Sequence, residues 1–169
     1  MKYFDLFGIP VQLRVDAKSL TPRFFELSKQ FHPDFFVNQD SVAQQEALDQ
    51  SSLLNKAWKT FQQPDETIRY VLMEKGLMQE EEKYELPPDF LMEVMDINEQ
   101  LMDQEEEGVK TRVEAAVKQL ENEIYEPVKK VVEGYREGIT SEEELLQVKA
   151  YYYKKKYLDR IRRQLAGMA

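Results

Sequence analysis

The sequence predicts an all-α protein, and three features of the chain indicate this fold class. Apolar side chains recur three or four positions apart, which is the period of a helix. The alternation of apolar and polar residues that marks a strand is nearly absent. The six glycines and seven prolines are few and fall at the boundaries of helix-like segments. We expect a helical unit at residues 1–76, a linker at 77–88 and a three-helix bundle at 89–169.

The first two helices of the chain are marked by their ends. Gly8 ends a short helix at the N-terminus. The second helix has an apolar face with spacings of four, three and four, formed by Leu20, Phe24, Leu27 and Phe31. Asp16 could cap this helix, but Pro22 would then lie inside it and delete a hydrogen bond. Thr21 as the cap, with Pro22 at the first helical position, is the more favourable local pattern.

Two further helices complete the first unit. Ser41 with Gln44 forms a capping-box pattern at the start of a long third helix, which Pro64 ends. The sequence predicts a short fourth helix over residues 67–75. The two long helices should run antiparallel, because a short loop joins them.

The second unit should contain three amphipathic helices. One is expected from Asp89 to about Glu105, and one after Gly108 with a kink at Pro127. The last should begin at Thr140 and Ser141, each of which has an acid three residues later. Short turns between amphipathic helices are typical of an antiparallel bundle.

Composition excludes several classes of function. The chain has no cysteine and one histidine, which excludes disulfides, thiolate chemistry and multi-histidine metal sites, and we expect no cofactor and no bound metal. A net charge of −9 argues against a nucleic-acid partner. No apolar run is long enough for a membrane span, and the N-terminus lacks the apolar run of a signal peptide, so we expect a cytoplasmic protein.

The most informative motif is His32-Pro33-Asp34, which we call the HPD corner. Proline holds its own φ near −65° and biases the preceding residue toward an extended conformation. We therefore expect the second helix to stop at Phe31 and leave an imidazole and a carboxylate at a stiff, exposed bend. Taken alone, the tripeptide is equally consistent with a plain loop.

The surroundings of the HPD corner resemble a known family. Residues 3–8, 31–34 and 54–58 together resemble a J domain, an antiparallel helical hairpin with short flanking helices. Residues 90–93 and 157–159 extend the resemblance to the HscB (Hsc20) family of co-chaperones for iron–sulfur cluster assembly. The resemblance implies a J domain at 1–76 that stimulates the ATPase of a heat-shock chaperone, HscA or an equivalent. It also implies a bundle that binds and delivers the scaffold protein IscU.

The second helix carries a basic face, formed by Lys18, Arg23 and Lys29, in an otherwise acidic protein. The resemblance implies that this face and the HPD corner (His32, Pro33 and Asp34) contact the chaperone ATPase. Charge complementarity of this kind mainly raises the association rate. Asp34 could accept charge-assisted hydrogen bonds from a partner arginine. The alternative is that the bases are merely solvated.

The helix that begins near Asp89 has two apolar stripes. The first suffices for a three-helix core and consists of Phe90, Val94, Ile97 and Leu101. The second stripe, Leu91, Met95 and Met102 with Met92 further round, lies about 120° away at a turn of about 100° per residue. From the pattern alone it could bind a partner or pack within the protein. The resemblance assigns scaffold contacts to Leu91, Met92, Met95, Asp96, Glu99 and Tyr157.

Three other functions are compatible with parts of this sequence. A J-domain co-chaperone with a different protein client keeps the HPD corner and changes the cargo. A second alternative is an enzyme that uses His32 and Asp34 as an acid–base pair. The sequence disfavours it, because no nucleophile or phosphate-binding loop lies near these residues. The tyrosine–lysine run at 151–156 could suggest nucleic-acid binding, but a helix would point these side chains in different directions. General J domains often have a lysine where this chain has Phe35, which could alter the choice of chaperone.

Overall fold

The computed structural model describes residues 1–103 and 107–167. Within those ranges it contains eight α-helices, two short 3₁₀ segments and no strand. The helices are α1 (Lys2–Phe7), α2 (Ala17–Phe31), α3 (Ser41–Phe61), α4 (Pro64–Glu74), α5 (Pro88–Met102), α6 (Val109–Tyr125), α7 (Lys129–Gly134) and α8 (Glu142–Ala166). The 3₁₀ segments are Pro33–Phe36 and Glu126–Val128. The predicted all-α class is confirmed.

Contacts divide the chain into two units. The N-terminal unit comprises residues 1–76 and 134–139, and the C-terminal unit comprises 77–133 and 140–169. The segment 77–88 thus groups with the C-terminal unit and 134–139 with the N-terminal one. The assignment of a J domain to 1–76, a linker to 77–88 and a bundle to 89–169 stays a prediction.

The core of the N-terminal unit is built around aromatic rings. Phe4 and Phe61 are almost fully buried, with ring centroids 5.1 Å apart. Trp58 on α3 stacks on Phe24 of α2 at 4.6 Å. Tilted and stacked ring pairs add to the free energy gained by burying their area. These contacts hold α1, α2 and α3 together and leave the far side of α2 facing solvent.

The start of α2 differs from the preferred prediction. Asp16 is the N-cap residue, α2 begins at Ala17 and Pro22 lies inside the helix, so the assignment of Thr21 as the cap is wrong. The backbone N–H and the hydroxyl of Ser19 both donate to the Asp16 carbonyl, at 3.2 and 2.7 Å. These bonds tie down the first turn and offset the hydrogen bond that Pro22 cannot make.

The predicted capping box at Ser41 is also wrong, by one residue. The carboxylate of Asp40 accepts from the N–H of Ala43 at 2.8 Å, and Ser41 is the first helical residue of α3. A carboxylate is a stronger acceptor than a hydroxyl and is favoured at the positive end of a helix. The Gln44 side chain instead donates to the carbonyls of the preceding loop, including that of Gln39 at 2.9 Å.

Several other helix ends shift from their predicted places. Pro64 is the first residue of α4, where we expected residue 67, and Pro88 is the first residue of α5, where we expected Asp89 to cap it. Proline suits this position because its missing N–H would have no intrahelical partner there. The expected end of α5 near Glu105 lies outside the described residues. Pro127 does more than kink the helix expected after Gly108, since a 3₁₀ segment at 126–128 separates α6 from α7.

The core of the C-terminal unit is formed by α5, α6 and α8. Its buried residues from α5 are those of the first stripe, Phe90, Val94, Ile97 and Leu101. Those from the other two helices are Val109, Val113, Val117, Leu120, Leu158, Ile161 and Leu165. Of the two residues expected to start α8, Ser141 is the N-cap, and it forms a capping box with Glu144. In the described part of the chain, no helix is both long and apolar enough to cross a bilayer. Cytoplasmic location stays a prediction.

Candidate functional site

The HPD corner has the backbone geometry that the sequence predicts. Helix α2 ends at Phe31, and His32 has φ −64° and ψ 128°, an extended conformation. Pro33 is the first residue of the 3₁₀ segment Pro33–Phe36. Proline thus ends one helix and begins the next, which fixes the direction of the side chains on either side of it.

The side chain of His32 caps the 3₁₀ segment. Its Nδ1 atom accepts the backbone N–H of Asp34 at 3.2 Å, and it lies 3.6 Å from the Asp34 carboxylate. Because Nδ1 is an acceptor, the neutral imidazole carries its proton on Nε2. The two side chains are 50% and 86% exposed, so a donor and an acceptor face outward side by side. Unlike the side chains of an unstructured loop, His32 and Asp34 are thus held in a defined mutual orientation.

The basic face of α2 is less uniform than the sequence suggested. Lys18 and Lys29 are exposed and lie within about 20° of each other around the helix axis. Arg23 lies about 120–140° away and pairs with Glu26 at 3.1 Å. In the part of the chain that the structure describes, neither lysine has an ion-pair partner. The face of α2 that carries Lys18 and Lys29 therefore has two unpaired positive charges, and Arg23 lies on a different face.

A feature that the sequence analysis did not use lies beside the HPD corner. Phe25 on α2 is 58% exposed and Phe35 is 70% exposed. They line a shallow depression that we call the phenylalanine groove, whose walls are Pro22, Phe25, Glu26, Lys29, Gln30 and Phe35. The Phe35 ring also contacts the His32 imidazole edge-on, with centroids 6.2 Å apart. The signal was present in the sequence, because Phe25 falls off the apolar line of α2.

The two stripes of α5 have different surroundings. The first stripe is buried in the core, with exposures of 5% or less. In the second stripe Leu91 is 39% exposed, Met95 is 59% exposed and Met102 is 86% exposed, while Met92 further round is 67% exposed. The core of its own unit therefore leaves the second stripe open, as a binding surface requires.

The remaining predicted scaffold contacts lie on two helices. Asp96 and Glu99 are exposed on α5 and line a polar groove with Arg112 of α6. Tyr157 on α8 is half-buried, packs against the core and lies under the Arg160 guanidinium, 5.5 Å from the ring centroid. Only part of the Tyr157 ring is thus open to a partner.

The segment expected to be a linker is attached to α8. The Glu82 carboxylate accepts from the Lys149 ammonium at 2.8 Å and from the Tyr153 hydroxyl at 3.0 Å. The Tyr84 ring stacks on Tyr153, with centroids 4.5 Å apart and planes 5° from parallel. The hydrogen bond from Lys149 holds the pKa of Glu82 below its ordinary value, against an opposing effect of burial. Segment 77–88 is therefore part of the C-terminal unit.

The tyrosine–lysine run of α8 is largely used inside its own unit. Tyr151 and Tyr152 are buried. The Lys154 ammonium lies 5.8 Å from the centre of the Phe90 ring, and Lys155 pairs with Asp159 at 2.6 Å. This arrangement does not form a row of free bases beside stacking rings, which single-stranded nucleic acids require.

A second carboxylate network lies in the N-terminal unit. Glu137 accepts from Lys75 at 2.8 Å and from the Tyr135 hydroxyl. The hydrogen bond from Lys75 lowers the pKa of Glu137, and burial raises the pKa of Tyr135. Three mutually satisfied groups of this kind tie residues 134–139 to the end of α4.

This chain is similar to known proteins both in sequence and in fold. A family model described as the HSCB C-terminal oligomerisation domain matches residues 86–166. The crystal structure of the human co-chaperone protein HscB superposes with a TM-score of 0.80 at 28% identity, over 97% of this chain and 80% of the human one. The chaperone HscB from Vibrio cholerae superposes with a TM-score of 0.66 at 25% identity, over 98% and 99% of the two chains.

Proposed function

We propose that this chain, as a member of the HscB family of co-chaperones, acts in iron–sulfur cluster assembly. In this proposal the HPD corner stimulates the ATPase of an HscA-type heat-shock chaperone. The C-terminal unit binds an IscU-type scaffold protein and delivers it to that chaperone. The observation that carries the proposal is the presence of two separate exposed surfaces, the HPD corner and the second stripe, in two different units.

The HPD corner suits a contact with a charged ATPase surface. The Asp34 carboxylate is open to solvent and can accept two parallel hydrogen bonds from a partner arginine. The Nε2–H group of His32 can donate to a neighbouring carbonyl or carboxylate. Pro33 removes backbone freedom between the two, so less conformational entropy is lost when both bonds form. Lys18 and Lys29 would steer an acidic partner toward the corner.

The second stripe suits an apolar contact with a scaffold protein. Leu91, Met92 and Met95 offer a branched side chain and two flexible thioethers, which adapt to an irregular partner surface. Asp96 and Glu99 lie beside them at the rim, where charge affects orientation and association rate more than the energy of the complex. A helix face with an apolar centre and a charged edge is a common docking surface.

Holding both partners on one chain explains how the two surfaces work together. Once the scaffold is bound to the C-terminal unit, its encounter with the chaperone no longer depends on the bulk concentration of either protein. ATP hydrolysis, stimulated at the HPD corner, would then close the chaperone on a client that is already nearby. The chain itself needs no catalytic group for this role.

A single-turnover ATPase assay of an HscA-type chaperone tests the proposal. We expect the wild-type chain to stimulate hydrolysis, further in the presence of scaffold, and His32→Gln to abolish stimulation. Glutamine keeps a side-chain donor and acceptor but cannot place an aromatic nitrogen against the Asp34 N–H while presenting a second one outward. Scaffold affinity, measured by calorimetry, should stay within about twofold because the two surfaces lie in different units.

Undiminished stimulation by His32→Gln would refute the role of the HPD corner. Asp40→Asn supplies a matched control, because it changes an exposed side chain in the same loop that caps α3 and keeps an N-cap acceptor. It should stimulate like the wild type. Stimulation by arbitrary unfolded clients, with no response to the scaffold, would favour a co-chaperone with a different client.

A further inference from the structure

The solvent-facing side of α2 has an unusual composition. A single exposed apolar residue is ordinary, but Phe25 and Phe35 form one surface with both rings more than half exposed. The HPD corner accounts for His32 and Asp34 and gives no reason for either phenylalanine.

Helix geometry excludes a core role for Phe25. Residues Lys18, Pro22, Phe25 and Lys29 follow spacings of four, three and four, and fall within about 60° of one another around α2. The apolar line of α2, on which Leu27 is buried, follows the same spacings two residues later, which is about 200° round the helix. Phe25 therefore lies opposite the core, in the middle of a stripe with a lysine at each end.

The two rings are held in place from behind. Phe25 packs against Phe24 at 5.7 Å, and Phe24 stacks on Trp58 of α3 at 4.6 Å. Phe35 contacts His32 edge-on and belongs to the short 3₁₀ segment that follows Pro33. Because aromatic side chains have few rotatable bonds and these are braced by neighbours, little conformational entropy is lost when they are covered.

The charge around the phenylalanine groove is positive. Lys29 lines the groove and has no ion-pair partner among residues 1–103 and 107–167. Glu26, the one acid in the wall, is paired with Arg23 at 3.1 Å, so its charge is compensated. An apolar side chain flanked by a carboxylate fits this combination better than a neutral or basic segment does.

We propose that the phenylalanine groove receives an apolar side chain, with an adjacent carboxylate, from the same chaperone ATPase that contacts the HPD corner. This inference rests on the proposed function. The chaperone is the occupant because the Phe35 ring joins the groove directly to the His32 imidazole, so one partner surface covers both. The groove supplies affinity, while the HPD corner supplies the stimulation.

Titration of the ATPase separates these two roles. With Phe25→Gln and with Phe35→Gln, we expect the concentration of the chain that gives half-maximal stimulation to rise about tenfold each, with the maximal rate unchanged. His32→Gln should instead remove the maximal rate. The effect of Phe25→Gln should persist at high salt, whereas that of Lys29→Gln should shrink, because salt screens charge and leaves apolar burial nearly unaffected.

Val42→Gln and Leu48→Gln are matched controls, since both residues are exposed apolar side chains on α3, 65% and 50% exposed, outside the groove. They should change half-saturation less than about twofold. Unchanged half-saturation in Phe25→Gln and Phe35→Gln, with His32→Gln inactive, would overturn the groove and leave the proposed function standing. If those substitutions abolished a dimer seen by sedimentation without altering half-saturation, the occupant would be a second copy. A wild-type chain that stimulates no HscA-type chaperone would overturn both.

Discussion

Removing the centre of the second stripe should separate cargo binding from folding. The change is Leu91→Ala with Met95→Ala, which truncates two side chains that lie on the exposed face of α5 and keeps its helix propensity high. Both residues lie outside the buried line that holds α5 to α6 and α8. We therefore expect weaker binding of the scaffold and a folded protein.

The size of the effect follows from the exposed fractions. Fully burying a leucine or methionine contributes roughly 1.5–3 kcal/mol. Leu91 is 39% exposed and Met95 is 59% exposed, so covering what remains open contributes about 1 and about 1.4 kcal/mol. Alanine retains the Cβ atom, which lowers the expected loss to about 2 kcal/mol. That loss corresponds to a dissociation constant that is roughly 30-fold higher.

Calorimetric titration with an IscU-type scaffold measures this loss directly. Leu146→Ala is the matched control, because Leu146 lies on α8 of the same unit and is 43% exposed. It should bind like the wild type. Far-UV circular dichroism should show the same helix content in all three proteins. Wild-type affinity in the double variant would refute the reasoning and return the second stripe to a packing role.

Two further predictions concern the stability of the C-terminal unit. Glu82→Gln should lower the free energy of unfolding by about 1 kcal/mol at pH 7, because the carboxylate that Lys149 and Tyr153 share loses its charge and the pair is partly exposed. Folding lowers the pKa of Glu82, so the contribution of its charge is full above the unfolded pKa of about 4.3. In urea unfolding, the difference from wild type should shrink as the pH falls below that value and vanish below the lower pKa of the folded state. A difference that persists at low pH would contradict this. Ser141→Ala should cost about 1 kcal/mol in the same measurement, since it removes the hydroxyl that accepts the Glu144 N–H at 3.1 Å, and Ser141→Asp should restore it.

The parts of the site that sequence predicts well are governed by local chemistry. The bend at the HPD corner follows from the φ restriction of Pro33 and its effect on His32, whatever surrounds them. The separation of two apolar stripes on α5 follows from the helical period, although the period does not decide that the second stripe stays open. The start of α8 at the Ser141–Glu144 box is likewise local.

The wrong predictions are those in which two local solutions compete. Thr21 and Asp16 could each begin α2, and bonds from Ser19 decide for Asp16 although Pro22 then lies inside the helix. Ser41 and Asp40 could each cap α3, and the charged acceptor is used. In both cases the competing energies differ by about 1 kcal/mol, which a sequence pattern does not resolve.

Two features emerge only when distant segments meet. Glu82 and Lys149 are 67 residues apart in the chain, so the attachment of segment 77–88 to α8 had no local signal beyond acidic composition. The phenylalanine groove needs Phe25 from α2 and Phe35 from the 3₁₀ segment, on either side of the HPD corner. The helical period places Phe25 off the apolar line of α2, but no local pattern brings Phe35 beside it.

The sequence by itself determined that this chain is helical, roughly where its helices lie, and that an imidazole and a carboxylate flank a rigid proline. These properties depend on dihedral restrictions and on a period of 3.6 residues, which act over a few positions. The tertiary structure alone decided which apolar side chains remain open and which charges are paired. Exposure and pairing depend on what packs against each helix, and those neighbours come from parts of the chain that no local pattern connects.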